Sequence, residues 1–207
     1  MKISVIMPSY LGDYPGASTD RERKFLRAVD SFLDNSGMGD DLVIVSDGCD
    51  RTFELIREHE YDLRCNIWIL MRDKSPMFSG RPRMEGIEFA RKNLMPDVIC
   101  YLDTDDVFLP DHLDNIARAF EENPALDWIY FNDTLMNTKQ VRQTSLQYAR
   151  IGTSNIAHRS HLPIAWGDGY GHDWKAIESL MPYKHQKFVF ATYGVCHCPN
   201  EPLKFDV

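Results

Sequence analysis

The segment VICYLDTDDVFLPD, residues 98–111, contains the feature that decides the fold. Its first part, Val98–Leu102, is a short apolar run with the composition of a buried strand. Three carboxylates lie in the next four residues, Asp103–Asp106, and Pro110 predicts the first turn of a helix. The segment therefore indicates a buried strand that ends in an acidic loop and leads into a helix.

The acidic loop predicts a cation site. Carboxylates as close as Asp103, Asp105 and Asp106 repel one another, so each tends to hold a proton unless a cation compensates. Mg²⁺ or Mn²⁺ fits, because these ions prefer oxygen ligands and commonly use one or two protein carboxylates while a substrate diphosphate completes the shell. The alternative is a loop that caps the following helix through Asp105 or Asp106.

The same alternation of strand and helix continues on both sides of this segment. Further apolar runs of strand length are Ile3–Met7, Leu42–Ser46, Asn66–Met71 and Asp127–Phe131. Apolar residues recur at helical spacing between the first two runs, where Thr19 and Glu22 have the form of a capping box. More helices are predicted after Thr52, over Met84 to Leu94 and from Pro110. The pattern is typical of an α/β domain.

Ligands in such sheets bind beyond the carboxyl ends of the strands, so those positions matter most. Asp47 follows the second strand, and Pro8, Ser9 and Tyr10 end the first. Taken singly, Asp47 is typical of a turn before Gly48, and the proline and aromatic residues are typical of a strand exit. With the acidic loop, three strand ends carry suitable groups, which favours one ligand site at this edge.

Composition narrows the class of protein. The 207 residues fit one domain, and the net charge of −8, from 31 acidic and 23 basic residues, argues against a nucleic-acid partner. No apolar run approaches the roughly 20 residues of a membrane-spanning helix. We expect a cytoplasmic protein, with attachment to the inner face of a membrane left open. The oligomeric state is not predicted.

The second part of the chain has a looser pattern. Polar stretches follow residue 132, a short helix carries Trp174, Ile177 and Met181, and a strand is predicted over Phe188–Thr192. The five cysteines are odd in number and predict free thiols. Cys196-His197-Cys198 has no partner pair for structural zinc, which makes zinc the less favoured interpretation.

Three segments together resemble the family 2 glycosyltransferases of the GT-A fold. Ile3–Tyr10, Val43–Gly48 and Tyr101–Asp111 match the family in order and spacing, and the likeness is good over residues 1–120 and weak beyond them. The resemblance implies one domain over 1–207 with a mostly parallel central sheet flanked by helices. It also implies a nucleotide-sugar half, about 1–131, and an acceptor-side lobe, about 132–207.

The resemblance also implies roles for individual residues. Pro8, Ser9 and Tyr10 match the segment around the nucleotide base, and Asp47 matches the carboxylate that bonds the base. Gly80–Gly86 resembles the segment before the third helix, which makes Arg83 the basic residue near the phosphates. The implied nucleotide-sugar contacts are Pro8, Ser9, Tyr10, Asp47, Arg83, Asp103 and Thr104. The implied metal ligands are Asp105, Asp103, Asp106 and His197.

Gly171-His172-Asp173-Trp174 resembles the family's G-E-D segment, whose aspartate is the general base. The resemblance therefore implies that Asp173 removes the proton of the acceptor hydroxyl, and His172 is a departure from the family pattern. The interpretation from the residues alone is that Asp173 caps the following helix.

The implied activity is transfer of a sugar, with inversion, from a UDP- or GDP-sugar to a hydroxyl of a glycan or other acceptor, with Mn²⁺ or Mg²⁺ as cofactor. One alternative is a sugar nucleotidyltransferase, although Pro8–Asp13 lacks the glycine-rich basic loop of that class. The other is a non-catalytic domain that binds a nucleotide or a glycan.

Overall fold

The computed structural model describes residues 1–14, 17–64, 66–75, 79–167 and 169–196. His197, predicted as a metal ligand, and Cys198, part of the zinc alternative, lie outside the described residues. Three described cysteines, Cys49, Cys100 and Cys196, are buried free thiols. No helix in the described ranges is both long and apolar enough to cross a membrane.

The chain alternates strands and helices as the apolar runs predict. The strands are β1 Ile3–Ser9, β2 Asp41–Asp47, β3 Ile67–Arg72, β4 Val98–Tyr101, β5 Val107–Phe108, β6 Trp128–Leu135, β7 Gln140–Arg142, β8 Ile156–Arg159 and β9 His185–Val195. The helices are α1 Arg21–Asn35, α2 Asp50–Glu58, α3 Gly80–Phe89, α4 His112–Glu122 and α5 His172–Leu180. A π-helical turn, Ala90–Leu94, extends α3, and a 3₁₀ turn, Thr153–Asn155, precedes β8.

The described strands form one sheet in the order β3-β2-β1-β4-β8-β6-β9-β5, with β7 paired to β6. The pairs β3-β2, β2-β1 and β1-β4 are parallel, so β1, β2 and β4 end at one edge. Strand β8 pairs antiparallel with both β4 and β6, and β6 pairs parallel with β9. The described strands of the two parts expected from the resemblance, about 1–131 and about 132–207, therefore belong to a single sheet.

Two apolar layers cover the sheet, and the alternation of side chains along β1 separates them. Val5 and Met7 pack in the layer that contains Phe25 of α1, together with α2 and α4. Ile6 points to the opposite layer, where Ile87 of α3 lies with residues of α5. Because the interior residues of these strands are covered on both faces, ligands can reach only the strand ends.

The capping box predicted at Thr19 and Glu22 is wrong. Helix α1 begins at Arg21 with Asp20 in the N-cap position and no side-chain cap bond. Asp20 instead pairs with Lys24 at 3.3 Å, and Glu22 pairs with Arg51 of α2 at 2.8 Å. Contacts with other side chains have taken the place of the local cap.

The start of α4 and the end of β6 also differ from the prediction. Helix α4 begins at His112, two residues after Pro110, because Asp111 adopts a left-handed conformation with φ +66°. Strand β6 continues to Leu135 and includes Asn132 and Asp133. These two polar residues are typical of a loop in the sequence, but their side chains are buried in the strand.

Strand β9 is longer than the predicted Phe188–Thr192 and fixes the acidic loop. It pairs with β6 along most of its length and with β5 through Val107–Gly194 and Phe108–Tyr193. Since β5 follows the acidic loop directly, the loop is held between the end of β4 and the pair formed by β5 and β9.

Candidate active site

A cavity of about 290 Å³, called cavity A, lies at the carboxyl ends of β1, β2 and β4. Its lining residues are Pro8, Ser9, Tyr10, Tyr14, Asp47, Lys74, Ser79, Pro82, Arg83, Asp103, Thr104, Asp105, His172 and Asp173. Every residue for which the resemblance implies a nucleotide-sugar contact is in this set. The topology thus brings residues from distant parts of the chain to one edge of the sheet.

Asp47 is a charged anchor in the wall of cavity A. Its carboxylate accepts hydrogen bonds from Lys74 Nζ at 2.7 Å, from the Ser75 backbone N–H at 2.8 Å and from Arg72. Burial alone would raise the pKa of this carboxyl, but these hydrogen bonds outweigh burial and lower the pKa below its ordinary value. Asp47 is therefore a carboxylate near neutral pH.

Gly48 allows the backbone that follows β3 to pass close to the end of β2. Its φ is +68°, and a Cβ there would lie 2.5 Å from the backbone nitrogen of Lys74. Lys74 Nζ in turn lies 4.3 Å from the centre of the Tyr10 ring, within the range of a cation–π contact. The Ser9 hydroxyl lies 2.9 Å from the hydroxyl of Thr52 and is directed into the protein.

Arg83 lies beneath the opposite wall of cavity A. It is 3% exposed, pairs with Asp103, and stacks over Trp166 with its Cζ 5.0 Å from the ring centre. Burial lowers the pKa of this guanidinium, but the charges of Asp103 and Asp173 outweigh burial and raise it. A permanent positive charge is thus held between two carboxylates.

The acidic loop is tied to β9 by Tyr193 and Cys196. The Asp103 backbone N–H donates to the Tyr193 hydroxyl at 3.1 Å, and the Cys196 N–H donates to Asp106 at 2.8 Å. The Tyr193 hydroxyl also bonds the Asp106 carboxyl. Burial, with the charges of Asp105 and Asp103, raises the pKa of Asp106 well above its ordinary value.

Asp103 and Asp105 line cavity A together. Burial raises the pKa of the Asp103 carboxyl; Arg83 opposes this rise, and Asp105 and Asp173 add to it. Arg27 donates to the Asp105 backbone carbonyl at 2.7 Å and supports the loop from α1. The cavity therefore receives two neighbouring carboxylates on a fixed backbone.

This donor set fits a divalent cation that a substrate helps to hold. No three His, Cys, Asp or Glu side chains within the described ranges could hold a metal ion. A cation shared between one or two carboxylates and the oxygens of a diphosphate needs no such cage. Asp103 and Asp105 supply that number of carboxylates, whereas Asp106 already bonds β9.

A larger cavity of about 670 Å³, called cavity B, also borders the acidic loop. It is lined by Asp103, Asp105, Asp106, Leu135, Asn137, Arg142, Ala149, Ile151, Gly152, Ser154, Tyr170, Asp173 and Val195. The guanidinium of Arg142 pairs with the carboxylate of Asp133, which is fully buried and also accepts from Asn155 at 2.7 Å. The ion pair fixes Arg142 in the cavity wall.

A third cavity of about 210 Å³, called cavity C, adjoins cavity B. It is lined by Tyr148, Ala149, Ile151, Tyr170, Gly171, His172, Asp173 and Trp174. The Tyr148 and Trp174 rings meet edge to face with centres 6.3 Å apart. Three of its eight lining residues therefore carry large aromatic rings.

Asp173 alone among the described residues lines all of cavities A, B and C. His172 Nε2 lies 2.9 Å from its carboxylate, and the Thr153 hydroxyl donates to it at 3.5 Å. Burial alone would raise the pKa of the Asp173 carboxyl, but His172, Arg83 and Thr153 outweigh burial and lower it. Asp173 is thus an ionised carboxylate where the three cavities meet.

The interpretation of Asp173 as a helix cap is wrong. Gly171, with φ +83°, occupies the N-cap position of α5, and Asp173 is the second residue of the helix. The side chain is thus available to cavities A, B and C. His172 Nε2 also lies 3.2 Å from Arg83 Nη1. The imidazole therefore links Asp173, the candidate base, to the guanidinium that pairs with Asp103.

Sequence reasoning missed several residues of these walls. Lys74, Arg142 and Tyr148 line the cavities but have no role in the motifs. Tyr193 supports the acidic loop from β9 without lining a cavity, through a contact with Asp103 that is distant in the chain. The sequence contained a signal for Arg142. Its partner Asp133 directly follows an apolar strand, and a charged residue that is buried there requires a partner of opposite charge.

The sequence model of the family described as Glycosyl transferase family 2 matches residues 4–174. No curated protein sequence matches the chain significantly. The GT-A fold expected from the sequence is confirmed by the likeness to glycosyltransferase structures.

One similar structure is S. aureus TarS 1-349 in complex with UDP-GlcNAc, with a TM-score of 0.75 and 16% identity over 98% of this chain and 59% of that chain. The complex of the same protein with UDP has a TM-score of 0.74 and 16% identity over 94% of this chain and 60% of that one. The mannosyltransferase PcManGT from Pyrobaculum calidifontis, in complex with GDP-Man and Mn²⁺, has a TM-score of 0.63 and 12% identity over 93% of this chain and 56% of that chain.

The chain thus spans about three fifths of the length of the similar structures, and the likeness at these identities establishes the fold. The family match covers most of the sequence, including the first strand, the acidic loop and Asp173. The chain belongs to glycosyl transferase family 2.

Proposed function

We propose that the protein transfers a sugar from a nucleotide diphosphate sugar to an acceptor hydroxyl, with inversion at the anomeric carbon and with a divalent metal ion. One observation carries the proposal: the ionised Asp173 lies where cavity A meets cavities B and C. A carboxylate in that position faces a donor and an acceptor at once. This is the geometry that direct displacement requires.

Cavity A is the proposed donor site. Tyr10 and the Asp47 carboxylate supply an aromatic face and a hydrogen-bond acceptor for a base, and Arg83 supplies positive charge beside Asp103. The neighbours of similar fold are described with UDP, UDP-GlcNAc or GDP-Man. A UDP- or GDP-sugar is therefore the proposed donor, with Pro8, Ser9 and Thr104 as further contacts.

Asp105 and Asp103 are the proposed holders of the metal ion, with Asp106 and His197 as the additional predicted ligands. The PcManGT structure contains Mn²⁺, which supports Mn²⁺ or Mg²⁺ here. The ion would supply positive charge to the leaving diphosphate. Arg83 adds a fixed cation on the same side, because it pairs with Asp103 beneath the cavity floor.

Asp173 acts as the general base in this proposal. The acceptor hydroxyl enters from cavity B or C, and its oxygen forms a bond to the anomeric carbon as the bond to the phosphate oxygen breaks. The hydroxyl proton passes to the Asp173 carboxylate, and the electron pair of the broken bond leaves with the diphosphate. A single displacement inverts the anomeric carbon. His172 and Thr153 orient the base through their contacts at 2.9 and 3.5 Å.

Binding of the donor is the first test. UDP-, GDP-, dTDP- and CMP-sugars are compared in a thermal-shift assay with and without Mn²⁺, and we expect stabilisation by a UDP- or GDP-sugar that depends on the metal. Release of nucleoside diphosphate on addition of acceptor should follow. Stabilisation without turnover with any acceptor would favour a binding domain. Pyrophosphate release from a nucleoside triphosphate and a sugar phosphate would identify a nucleotidyltransferase instead.

A further inference from the structure

Cavity C has an aromatic wall that the proposed reaction does not by itself require. The side chains of Tyr148 and Tyr170 belong to residues that are 56% and 84% exposed, and Trp174 lies half-buried between them and the core. One exposed aromatic ring is ordinary on a protein surface. Three rings around one small cavity, directly beside Asp173, indicate a surface kept for a ligand.

The backbone holds two of these rings in place. Tyr148 packs against Gly171, where a Cβ would lie 3.5 Å from the ring in a conformation that already has φ +83°. Trp174 follows Asp173 in α5 and meets Tyr148 edge to face. The distance between the aromatic wall and the proposed base is therefore fixed by the start of one helix.

Cavity B, which shares Asp173 with cavity C, adds hydrogen-bonding groups. Arg142, Asn137 and Ser154 lie in its wall, and Arg142 is oriented by the buried Asp133. Four of the thirteen residues in this wall are aliphatic, and eight carry charged or hydrogen-bonding side chains. An alkyl chain would require a continuous apolar groove, which the described lining of cavity B does not form.

An aromatic face beside a set of polar side chains matches the chemistry of a sugar. A pyranose ring has an apolar C–H face and a rim of hydroxyls, each of which both donates and accepts hydrogen bonds. The rings of cavity C suit the first feature, and the carboxylate, guanidinium and amide groups of cavity B suit the second. Cavities B and C share Ala149, Ile151, Tyr170 and Asp173, so one ligand can occupy both.

We infer that the acceptor is a saccharide, with a ring packed against Tyr148, Tyr170 and Trp174 and its reacting hydroxyl at Asp173. The inference rests on the proposed function and specifies its acceptor. Tyr148 and Tyr170 are the residues that select for a sugar, and Arg142 binds hydroxyls of the same acceptor.

The test uses the full chain with the donor that stabilises it. The acceptors are a set of mono- and disaccharides, glycerol, a long-chain polyisoprenol in detergent and a serine-containing peptide, and the readout is acceptor-dependent release of nucleoside diphosphate. We expect release with saccharides and none above background with the polyisoprenol or the peptide. Use of either of these in place of saccharides would overturn the inference.

Tyr148→Ala and Tyr170→Ala locate the subsite. Each should raise the KM for the saccharide about tenfold, the loss typical of an aromatic contact residue. The affinity for nucleoside diphosphate, which cavity A determines, reports whether each variant is folded. Leu63→Ala, an exposed apolar residue that lines none of the three cavities, is the matched control and should keep the KM of the unmodified protein.

An unchanged KM in both tyrosine variants would overturn the inference and leave the proposed function intact. Failure of every nucleotide sugar to bind would overturn the proposed function itself, and the acceptor inference with it. The two results are distinguished by the donor-binding measurement alone.

Discussion

Cavity A and cavity C meet at His172 and Asp173 and are built from different kinds of contact. Two carboxylates of cavity A are already paired with cations, since Asp47 is bonded by Arg72 and Lys74 and Asp103 is bonded by Arg83. Cavity C contains the His172–Asp173 contact at its junction with cavity A, and beyond that junction its wall is formed by the exposed rings of Tyr148 and Tyr170 and the half-buried ring of Trp174. Cavity A, the proposed donor side, is therefore organised before a ligand arrives, whereas cavity C, the proposed acceptor side, offers surface that a ligand would cover.

The difference between paired charges and an aromatic wall indicates that cavity A and cavity C suit different classes of ligand. A pre-paired site loses little freedom on binding and suits a ligand with fixed charges, such as a nucleotide diphosphate. An open aromatic wall suits a neutral ligand that is recognised by shape. Asp173 belongs to both sides, so its replacement should affect catalysis more than either binding step.

Asp173→Asn should have the largest effect. Asparagine keeps the size of the side chain but cannot take the acceptor proton, so kcat should fall about 10²- to 10⁴-fold. Donor affinity should remain, because the carboxylate is not the proposed diphosphate anchor. Initial rates of nucleoside diphosphate release measure the first quantity and calorimetry the second. Glu178→Gln, an exposed change in the same helix, is the control, and near-normal turnover in Asp173→Asn would refute the base assignment.

Asp47→Asn should weaken nucleotide binding in cavity A without changing acceptor binding in cavities B and C. The variant loses the carboxylate that is proposed to accept a hydrogen bond from the base, and hydrogen bonds to charged groups contribute about 1.5–3 kcal/mol. It also loses the negative charge that pairs with Lys74 and Arg72. The Kd for nucleoside diphosphate with Mn²⁺ should therefore rise about 10- to 100-fold, while the acceptor KM measured at saturating donor stays constant. Asp34→Asn, on the exposed face of α1, serves as the control. A change confined to the acceptor KM would contradict the assignment of cavity A.

His112 makes stability depend on pH beneath the acidic loop. It is fully buried, with its ring 4.3 Å from Phe108 and its Nδ1 3.0 Å from the Thr192 hydroxyl, and burial lowers its pKa to about 3. An unfolded histidine has a pKa of about 6.5, so the unfolded state binds the proton first as the pH falls. The stabilisation is complete above about pH 6.5 and is lost between there and about pH 3.

The free energy of unfolding should reveal this loss. Between pH 7.5 and 5, His112 should account for roughly 2 kcal/mol of destabilisation. Urea titrations of the unmodified protein and of His112→Phe should diverge in their pH dependence by about 1.4 kcal/mol per pH unit below pH 6. The exposed His161, replaced by Gln, should produce no such divergence. Parallel pH curves for His112→Phe and the unmodified protein would show that His112 is not buried in the neutral form.

Tyr193→Phe should have the smallest effect on the free energy. It removes the hydroxyl that bonds the Asp103 N–H and the Asp106 carboxyl and keeps the buried ring. Loss of that hydroxyl should lower the free energy of unfolding by about 1–2 kcal/mol and raise the Mn²⁺ concentration needed for half-maximal turnover. Tyr183→Phe is the matched control. An unchanged metal requirement would mean that the acidic loop keeps its position without the Tyr193 hydroxyl.

Cavity A, the proposed donor side, was largely predictable from the sequence. Strands β1, β2 and β4 are apolar runs with polar residues immediately after them, and parallel pairing places those residues at one edge. Pro8, Asp47 and Asp103 line one cavity for that reason. The paired cations were not predictable, since Arg72 and Lys74 reach Asp47 through strand pairing that no local pattern records.

The acceptor side was less predictable for a physical reason. Asn132 and Asp133 resemble a loop in the sequence, yet they are buried in β6 because Thr144, Arg142 and Asn155 satisfy their polar groups. Strands of three or four residues, such as β7 and β8, are too short to have a readable period. The aromatic wall likewise depends on the close approach of Tyr148 to Gly171, which the chain reveals only when folded.

The central claim is that one carboxylate, Asp173, activates the acceptor for direct displacement of the diphosphate. The configuration of the anomeric carbon in the first product, measured by ¹H NMR during the reaction, tests it most directly. A single displacement predicts a product with the configuration opposite to that of the donor sugar. A product that keeps the donor's configuration would contradict the claim, because it would require a second displacement or a different mechanism at this site.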